Sequence, residues 1–377
     1  MQSLNALKIV ESCNYAIGVM VDVNQDKVTV QLSGISASML RCLWARAQLS
    51  REYSSLFYDE KAIELVEKIE YDFSTSDTPF EGIMFNISRK GNVPEFDLFT
   101  LRARQFDEKA KAYITEHPHA SVVNIGAGLD TTFYRVDNGL IDWYDLDLPA
   151  VIDVRRQLLP EPDRVTYIAK SLFDPSWCKD IKHTEDGVFM IAGGIFMWFE
   201  KSQVQQFFSM LADNFPGEEI VFNVIPQSDD GVGAWIDLVP PEQRDKMEAA
   251  WAEALKDWWE KAPQDQKDTV YDMIAVLNIP TKPKGKGWAD IEAWWNQLST
   301  KEKEEALRDF MKSSCSGFMK WTLEDANEIT KWDNRITVVD QFPLYRNIPR
   351  DSLSEKIRRL MDYSDESGRS SIIHARV

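Results

Sequence analysis

One stretch, Ser121–Pro149, constrains the fold of this chain more than any other. It begins with a short apolar and β-branched run, residues 122–125, which ends abruptly in Gly126–Gly128. An apolar run followed by glycines predicts a buried strand that leads into a tight turn. About twenty residues beyond the first glycine, a second apolar run ends in Asp145 and Asp147. Two parallel neighbouring strands would place the glycine turn beside this acidic strand end.

This pairing suits a nucleoside ligand. Glycines let the backbone approach a ligand closely, and a carboxylate accepts hydrogen bonds from both ribose hydroxyls. A dinucleotide fingerprint would need a third glycine three residues after Gly128, where Thr131 stands. The chain also lacks a Gly-x-x-x-x-Gly-Lys-Ser/Thr phosphate loop. A nucleoside without a phosphate chain remains, and S-adenosylmethionine is the usual cofactor of that kind.

Strand and helix patterns alternate after this stretch. Apolar runs predict strands at Val165–Phe173, Asp186–Trp198 and Glu219–Ile225, and an amphipathic helix at Lys201–Phe215 whose apolar stripe packs in the core. Such alternation predicts an α/β fold with a doubly wound, mainly parallel sheet. The ligand is then expected at the carboxyl ends of the strands.

Three motifs of the chain carry a resemblance to a known family: VVNIGAGLDTTFYRV, WYDLDLPAVIDVRRQLLPEPDRVTYIAKSLFD and FMIAGGIFMWFEKSQVQQFFSMLADNFPG. They resemble successive motifs of the leucine carboxyl methyltransferase family, especially its bacterial branch of small-molecule, polyketide-type O-methyltransferases. The resemblance begins near Leu32, continues to about Phe222 and resumes at residues 318–344. It implies a class I, Rossmann-like methyltransferase fold, with S-adenosyl-L-methionine as cofactor and S-adenosyl-L-homocysteine as product.

The resemblance also implies which residues hold the cofactor. Arg102 takes the position of the family's carboxylate clamp, although Arg104 competes for that role. Asp147 immediately precedes Leu-Pro, as the family's ribose-binding acid does, and Asp145 is the alternative. The complete expected cofactor set is Arg102, Gly126, Ala127, Gly128, Asp147, Ser171, Leu172 and Gly193.

Two members of this set have a second explanation or depart from the family pattern. Ser171 is equally well explained as a turn residue at a strand end. Gly193 stands where relatives usually carry a glutamate. The missing carboxylate puts one contact to cofactor or substrate in doubt, and we expect it to open space.

The residues expected to contact the methyl acceptor are Arg41, Trp198 and Trp235. In the resembled family a basic residue near Arg41 lies over the pocket, whereas an arginine on an amphipathic helix otherwise often faces solvent. Residues 227–315 are rich in tryptophan and longer than the matching connection in relatives, so we predict an inserted helical lid. Its tryptophans could stabilise a sulfonium cation, or they could pack the insert against the body of the protein.

The chain of 377 residues is long enough for one large domain or two modest ones. We predict an N-terminal extension (1–30), a cofactor-binding core with an N-terminal helical cap (31–226), the insert (227–315), the C-terminal part of the core (316–363) and a flexible tail (364–377).

The net charge of −18 disfavours a nucleic-acid partner and docking on anionic membrane. The sequence contains no stretch of eighteen apolar residues that would predict a membrane span. We therefore expect a cytoplasmic protein. The four cysteines are far apart in sequence and predict no metal site. The expected partner is a small-molecule acceptor, and a homodimeric state is left open.

None of the four histidines follows a predicted strand directly, so no catalytic base is assigned. A carboxylate acceptor needs no base. The sequence therefore favours direct in-line O-methylation of a carboxylate or acidic hydroxyl on a small molecule. The alternatives are a protein C-terminal carboxyl methyltransferase, a non-catalytic cofactor-binding protein that docks through the insert, and, as a distant fourth, a nicotinamide dehydrogenase.

Overall fold

The computed structural model describes residues 28–30, 38–70, 99–224, 255–306, 320–351, 353–366 and 370–377, together with residues 249, 252, 253, 309 and 368. The strands within these ranges are β1 (Val28–Thr29), β2 (Ile69–Glu70), β3 (Ser121–Ile125), β4 (Asp142–Asp147), β5 (Val165–Ala169), β6 (Val188–Ala192), β7 (Glu219–Val224), β8 (Thr337–Pro343) and β9 (Ser371–Arg376). The α-helices are α1 (Ser38–Glu52), α2 (Glu60–Lys68), α3 (Arg102–Glu116), α4 (Phe133–Val136), α5 (Pro149–Leu158), α6 (Lys201–Asn214), α7 (Gln264–Val276), α8 (Trp288–Gln297) and α9 (Glu355–Glu366). Short 3-10 helices lie at Phe99–Leu101, Pro175–Lys179, Thr184–Asp186, Phe196–Trp198 and Ala326–Lys331.

Seven strands form one sheet in the order β5-β4-β3-β6-β7-β9-β8. The five strands from β5 to β7 are parallel, and β9 runs antiparallel to both β7 and β8. The chain moves outward from β3 through β4 to β5, then crosses to the other side of β3 to form β6 and β7. The predicted doubly wound, mainly parallel sheet is confirmed, and its switch point lies between β3 and β6.

Both faces of the sheet are covered, which explains why its strands are apolar throughout. Side chains alternate between two buried clusters. Val122 and Trp143 belong to the cluster that includes α3, and Val123 and Tyr144 belong to the cluster that includes α6. The predicted apolar stripe of α6 is buried as expected: Val204, Phe207, Phe208 and Leu211.

The C-terminal residues form a strand, so the predicted flexible tail after residue 364 is wrong. β9 lies between β7 and β8, and Ile372, Ile373 and Ala375 are fully buried. Val377 donates its amide to the carbonyl of Glu218 at 2.9 Å. This short segment forms a strand because it pairs with β7, which lies far away in the sequence.

The N-terminal helices α1 and α2 pack together through an apolar face that includes Leu40, Leu43 and Leu65. Asp59 caps α2 by accepting a hydrogen bond from the amide of Ala62 at 2.9 Å. The two helices thus form the predicted N-terminal helical segment, and α1 brings its residues close to the glycine turn.

The described part of the insert is helical and has its own apolar core. Trp258, Trp259 and Trp294 are buried there with Val270 and Ile274. These tryptophans pack against neighbours within the insert, and whether the insert acts as a lid stays a prediction. None of the described helices combines the length and apolar character that a membrane crossing requires.

Candidate cofactor-binding site

The glycine turn follows β3 directly and is tied to the neighbouring strand β4. The amides of Gly126 and Ala127 donate to the carbonyl of Leu146, at 2.8 and 3.2 Å. Gly126 and Gly128 have φ values of 68° and 48°. This left-handed backbone favours glycine, because a side chain would be strained there.

Close neighbours leave no room for a side chain at these glycines. A Cβ atom at Gly126 would lie 2.9 Å from Cδ1 of Ile195, which follows β6. A Cβ atom at Gly128 would lie 3.1 Å from Cβ of Met39 on α1. The turn is therefore bordered by β4, by the segment after β6 and by α1, and we refer to this region as the crevice.

Asp147 ends β4 and faces this turn. Its Oδ2 accepts from the amide of Gly128 at 2.8 Å, and its Oδ1 accepts from the amide of Leu148 at 2.7 Å. Burial raises the pKa of Asp147 to about 6, and these two hydrogen bonds offset only part of that effect. The carboxylate is ionised at neutral pH and retains free lone pairs for further donors.

Asp145, the alternative ribose-binding acid, has a structural setting instead. It is fully buried and accepts from Arg155 at 2.6 Å, from Asn124 at 3.0 Å and from Trp143 at 2.9 Å. Its oxygens are occupied by protein donors away from the crevice edge. Of the two acids, Asp147 is the one beside the glycine turn.

Arg102 contacts the segment after β6, which also borders the glycine turn. Its guanidinium packs on the segment after β6, since a Cβ atom at Gly194 would be 2.9 Å from Nη2. Nη2 also lies 3.6 Å from Sγ of Cys42, and the guanidinium covers the ring of Phe99 at 4.6 Å. Among the described residues no carboxylate pairs with Arg102, so this cation can accept an anionic ligand.

Arg104, which competed with Arg102 in the sequence, points elsewhere. It donates to Glu108 at 3.0 Å and to the carbonyl of Leu56 at 2.7 Å. It lines a separate surface cavity of 610 Å³ together with Tyr58 and Tyr134. Arg104 is therefore paired with a carboxylate, whereas Arg102 is not paired with one among the described residues.

Gly193 does not open space, and that expectation is wrong. A Cβ atom at this position would lie 2.9 Å from Cε2 of Phe106, which is buried on α3. The volume in which a side chain would start is filled by an aromatic ring. The glycine and the phenylalanine are therefore complementary features of this chain.

The remaining predicted residues lie at the same edge of the sheet or beyond the described residues. Ser171 and Leu172 follow β5, the strand next to Asp147, and Leu172 is buried in the core. Trp198 donates to the carbonyl of Gly194 at 3.0 Å, close to Arg102. Arg41 is half-buried on α1 next to Cys42. Trp235 lies outside the described residues.

The sequence did not single out two buried arginines that hold the loop after the glycine turn. Arg155 Nη1 donates to the carbonyls of Gly128 and Asp130 at 3.0 and 2.8 Å. Arg46 Nη2 donates to the carbonyl of Leu129 at 2.7 Å. A signal did exist, because each arginine stands at apolar helical spacing on its helix.

A second buried network lies beneath the start of α4. Arg135 binds Asp59 at 2.7 Å and Asp107 at 2.7 and 3.0 Å. Thr131 donates to the same Asp59 oxygen at 2.6 Å. Burial would raise the pKa of Asp130, but Arg46, Arg135 and hydrogen bonds from Thr132 outweigh it and lower that pKa. Ionised groups thus anchor α1, α3 and α4 to one another.

All four histidines are described, and none lies at the crevice. His374 is on β9 and pairs with Glu219 at the amino end of β7, at 2.7 Å. His117 ends α3, and His119 and His183 lie beyond that helix and before β6. They are at the opposite edge of the sheet from Asp147. No imidazole base is therefore present among the groups that border the glycine turn.

The groups at this site fit an adenosyl amino acid. The turn offers close backbone approach, Asp147 offers an acceptor for hydroxyls, and Arg102 offers a cation for a carboxylate. Nothing in this set resembles a pyrophosphate site, since Thr131 replaces the third glycine.

The chain is similar to known methyltransferases. The family model described as leucine carboxyl methyltransferase matches residues 39–212. The chain is 27% identical over 198 residues to the tetracenomycin polyketide synthesis O-methyltransferase TcmP of Streptomyces glaucescens, covering 52% of this chain and 68% of that protein. It is 24% identical over 202 residues to the S-adenosyl-L-methionine-dependent methyltransferase dpfgK of Gibberella zeae, covering 50% of this chain and 64% of that protein.

Among solved structures, PKMT2 of Rickettsia typhi in complex with AdoHcy is similar, with a TM-score of 0.35 and 12% identity. The match covers 69% of this chain and 49% of that one, so the chain spans about half the length of the Rickettsia protein. The family match includes the glycine turn, Asp147 and Arg102. Over residues 39–212 the chain is therefore similar to the leucine carboxyl methyltransferase family, and its cofactor is S-adenosylmethionine.

Proposed function

We propose that this protein transfers a methyl group from S-adenosylmethionine to a carboxylate or an acidic hydroxyl of a small molecule. The observation that carries the proposal is that Asp147 binds the Gly126–Gly128 turn, while the segment after β6 contacts this turn through Ile195 and Arg102 through Gly194. The similarity to a Streptomyces enzyme named for polyketide O-methylation supports a small-molecule acceptor.

Each group of the crevice has a proposed role in binding. Asp147 accepts hydrogen bonds from the ribose hydroxyls, and Arg102 binds the amino-acid carboxylate with two parallel donors. The turn is proposed to pass beside the nucleoside through the backbone of its glycines, which carry no side chain of their own. Its amides donate within the protein, to Leu146 and Asp147. Ser171 and Leu172, after the neighbouring strand, are proposed to border the adenine.

When bound, S-adenosylmethionine supplies an electrophilic methyl group on a sulfonium. The task of the protein is then to align the acceptor with that methyl group and to exclude water. An acceptor that is already ionised near neutral pH needs no general base. The placement of every histidine at the far edge of the sheet is consistent with such an acceptor.

The acceptor side of the pocket is proposed to include Arg41, Trp198 and Trp235, with residues 227–315 as a helical lid. Cys42 and Gly194 both lie beside Arg102. Arg41 precedes Cys42 in the sequence, and Trp198 donates to the carbonyl of Gly194. A cation and an indole there would suit an anionic, aromatic acceptor. A cytoplasmic location and a homodimeric state stay predictions that fractionation and gel filtration would test.

A second candidate function is carboxyl methylation of a protein C-terminus, and the description of the matching family model favours it. The two functions differ in where the methyl group ends. Methyl-labelled S-adenosylmethionine, incubated with the protein and an extract of its source cells, would separate them. We expect label in small organic-soluble products; label only in macromolecules would favour the second function.

A non-catalytic role is the third candidate, motivated by Gly193 in place of the usual glutamate. Calorimetry with S-adenosylhomocysteine, combined with a broad panel of carboxylate and phenol acceptors, tests it. We expect both binding and turnover. Binding without turnover on any acceptor would favour a cofactor-binding scaffold, and absence of binding would contradict the proposed function itself.

A further inference from the structure

Three consecutive backbone carbonyls after the glycine turn are held by two buried guanidinium groups. Nη1 of Arg155, on α5, donates hydrogen bonds to the carbonyls of both Gly128 and Asp130. Arg46, on α1, donates a hydrogen bond to the carbonyl of Leu129, which lies between them. The two arginines come from different helices, so two separate elements hold this backbone.

Each arginine is fixed by a buried acid. Arg155 pairs with Asp145 at 2.6 Å, and its side chain is 2% exposed. Arg46 pairs with Asp59 at 3.2 Å, and its side chain is 7% exposed. Buried ion pairs of this kind have well-defined geometry, because an unpaired charge would be strongly unfavourable there. The guanidiniums are therefore fixed points for the loop.

The acids are themselves anchored to secondary structure. Asp145 lies within β4 and also accepts from Asn124 in β3, at 3.0 Å. Asp59 caps α2 and accepts from Thr131, at 2.6 Å. The positions of the arginines thus derive from the central strands and the N-terminal helices, rather than from the loop that they hold.

Holding the carbonyls also orients the amides. In a planar trans peptide the C=O and N–H groups point in opposite directions. Carbonyls that turn toward Arg155 and Arg46 leave the amides of residues 129–131 facing away from the guanidiniums. The loop also has a turn of its own, in which the amide of Asp130 donates to the carbonyl of Ala127 at 2.8 Å. The arginines add the contacts that hold the carbonyls of residues 128–130.

We infer that Arg46 and Arg155 are positioning residues that hold residues 126–132 in the conformation that receives the adenosyl cofactor. This inference rests on the proposed function, since it assigns a purpose to the rigid loop. Both arginines are buried, so the inference gives neither of them a contact with the ligand. Each acts by removing the ordering cost that a mobile loop would impose on binding.

Lysine substitutions separate the charge of each arginine from its reach. Arg155→Lys retains a cation for Asp145, but a single ammonium cannot span Asp145 and two carbonyls in the same geometry. Arg46→Lys retains a cation for Asp59 in the same way. A matched control is Arg350→Lys, because Arg350 also binds a carbonyl, that of Tyr345 at 3.4 Å, and pairs with Asp362 and Asp365, away from the glycine turn.

The test is amide hydrogen exchange of the ligand-free full chain, followed by calorimetry with S-adenosylhomocysteine. We expect residues 126–132 to exchange about tenfold faster in Arg46→Lys and Arg155→Lys than in the wild type. Arg350→Lys should leave exchange of this segment unchanged. The affinity for S-adenosylhomocysteine should fall about fivefold or more in the first two variants only.

Unchanged exchange of residues 126–132 in both lysine variants would overturn the inference, whatever happens to affinity. A wild type that fails to bind S-adenosylhomocysteine would instead contradict the proposed function, and the exchange data would still decide the role of the arginines. If a lysine variant does not fold, Asp145→Asn loosens the anchor of Arg155 while it keeps a hydrogen-bonding side chain. Exchange of the loop must then accelerate in that variant, or the inference fails.

Discussion

Asp147 accepts a hydrogen bond from the amide of Gly128 at 2.8 Å, so the acid that ends β4 is directly bonded to the turn after β3. The same carboxylate is the group proposed to bind the ribose hydroxyls. One residue thus helps to shape the crevice and supplies its acceptor. Arg102, by contrast, packs on Gly194, in the segment after β6.

This separation predicts different effects of two alanine variants. Asp147→Ala should weaken binding of both S-adenosylhomocysteine and 5′-methylthioadenosine by about tenfold or more, because each ligand has ribose hydroxyls. Arg102→Ala should weaken binding of S-adenosylhomocysteine by about tenfold or more and leave 5′-methylthioadenosine unaffected, because the latter has no carboxylate. Calorimetry with the two ligands measures both effects.

Arg104→Ala serves as the control for Arg102, since Arg104 lies two residues away but pairs with Glu108 and Leu56. It should change neither affinity. Equal affinities of the wild type and both crevice variants would mean that the cofactor binds elsewhere.

Ligand affinity should also fall in mild acid. The pKa of Asp147 is raised to about 6, so the free protein protonates this carboxyl as the pH drops below that value. A protonated carboxyl is a poorer acceptor for ribose hydroxyls. One pH unit below the pKa, about nine in ten molecules carry the proton, so affinity at pH 5 should be about tenfold lower than at pH 7.5.

The same shift acts on stability with the opposite sign. A carboxyl whose pKa is raised on folding contributes stability as the pH falls from about 6 toward its unfolded value near 3.8. Asp147→Asn removes both effects. An equally steep loss of affinity in this variant would assign the pH dependence to another group.

Gly193 and Phe106 should behave as a coupled pair. Gly193→Glu places a Cβ atom 2.9 Å from the ring of Phe106, so it should destabilise the fold by about 1–3 kcal/mol through overpacking. Phe106→Ala alone should also be destabilising, because it leaves a cavity. The double variant should lose less unfolding free energy than the sum of the losses in the two single variants. Chemical denaturation of the four proteins in a double-mutant cycle measures this difference. Strict additivity would show that the two positions do not share the same space.

The C-terminal strand predicts a stability effect far from the crevice. Glu219 accepts from His374 and Arg376, each at 2.7 Å, and the hydrogen bond from His374 lowers the pKa of Glu219 to about 2. Glu219→Gln should therefore cost about 1–3 kcal/mol of unfolding free energy at neutral pH. Because the pKa is lowered on folding, this difference should disappear as the pH falls from about 4.5 toward 2.

Glu328→Gln is the control for Glu219, because Glu328 forms an exposed ion pair with Lys201. Exposed pairs contribute about 0–1 kcal/mol, so its thermal unfolding should barely change. Similar losses in the two variants would remove the special role assigned to the His374 contact.

Local sequence was sufficient to predict the parallel core and the contact between the glycine turn and the acid that ends β4. The run before Gly126, the positive-φ glycines and the acid before Leu148 depend on neighbours in sequence. Parallel strands bring such features together in a known way. The choice between Asp145 and Asp147 was not local, because it depends on the buried partner Arg155.

Long-range contacts account for the features that sequence reasoning missed. The charges of Arg46 and Arg155 suggest exposure, and only tertiary pairing with Asp59 and Asp145 explains their burial. The space beside Gly193 is filled by Phe106, which belongs to a helix formed much earlier in the chain. Residues 371–376 follow a charged helix, so their short apolar pattern gave little indication of a central strand.

The position of β9 has a consequence for biosynthesis. β7 pairs on one side with β6 and on the other with a strand that begins at Ser371. While a ribosome translates the intervening segment, the nascent sheet carries an open edge at β7, and an unpaired edge of this kind can associate with other chains. Chaperone dependence during translation, and inclusion bodies when synthesis is rapid, are therefore expected hazards of this topology.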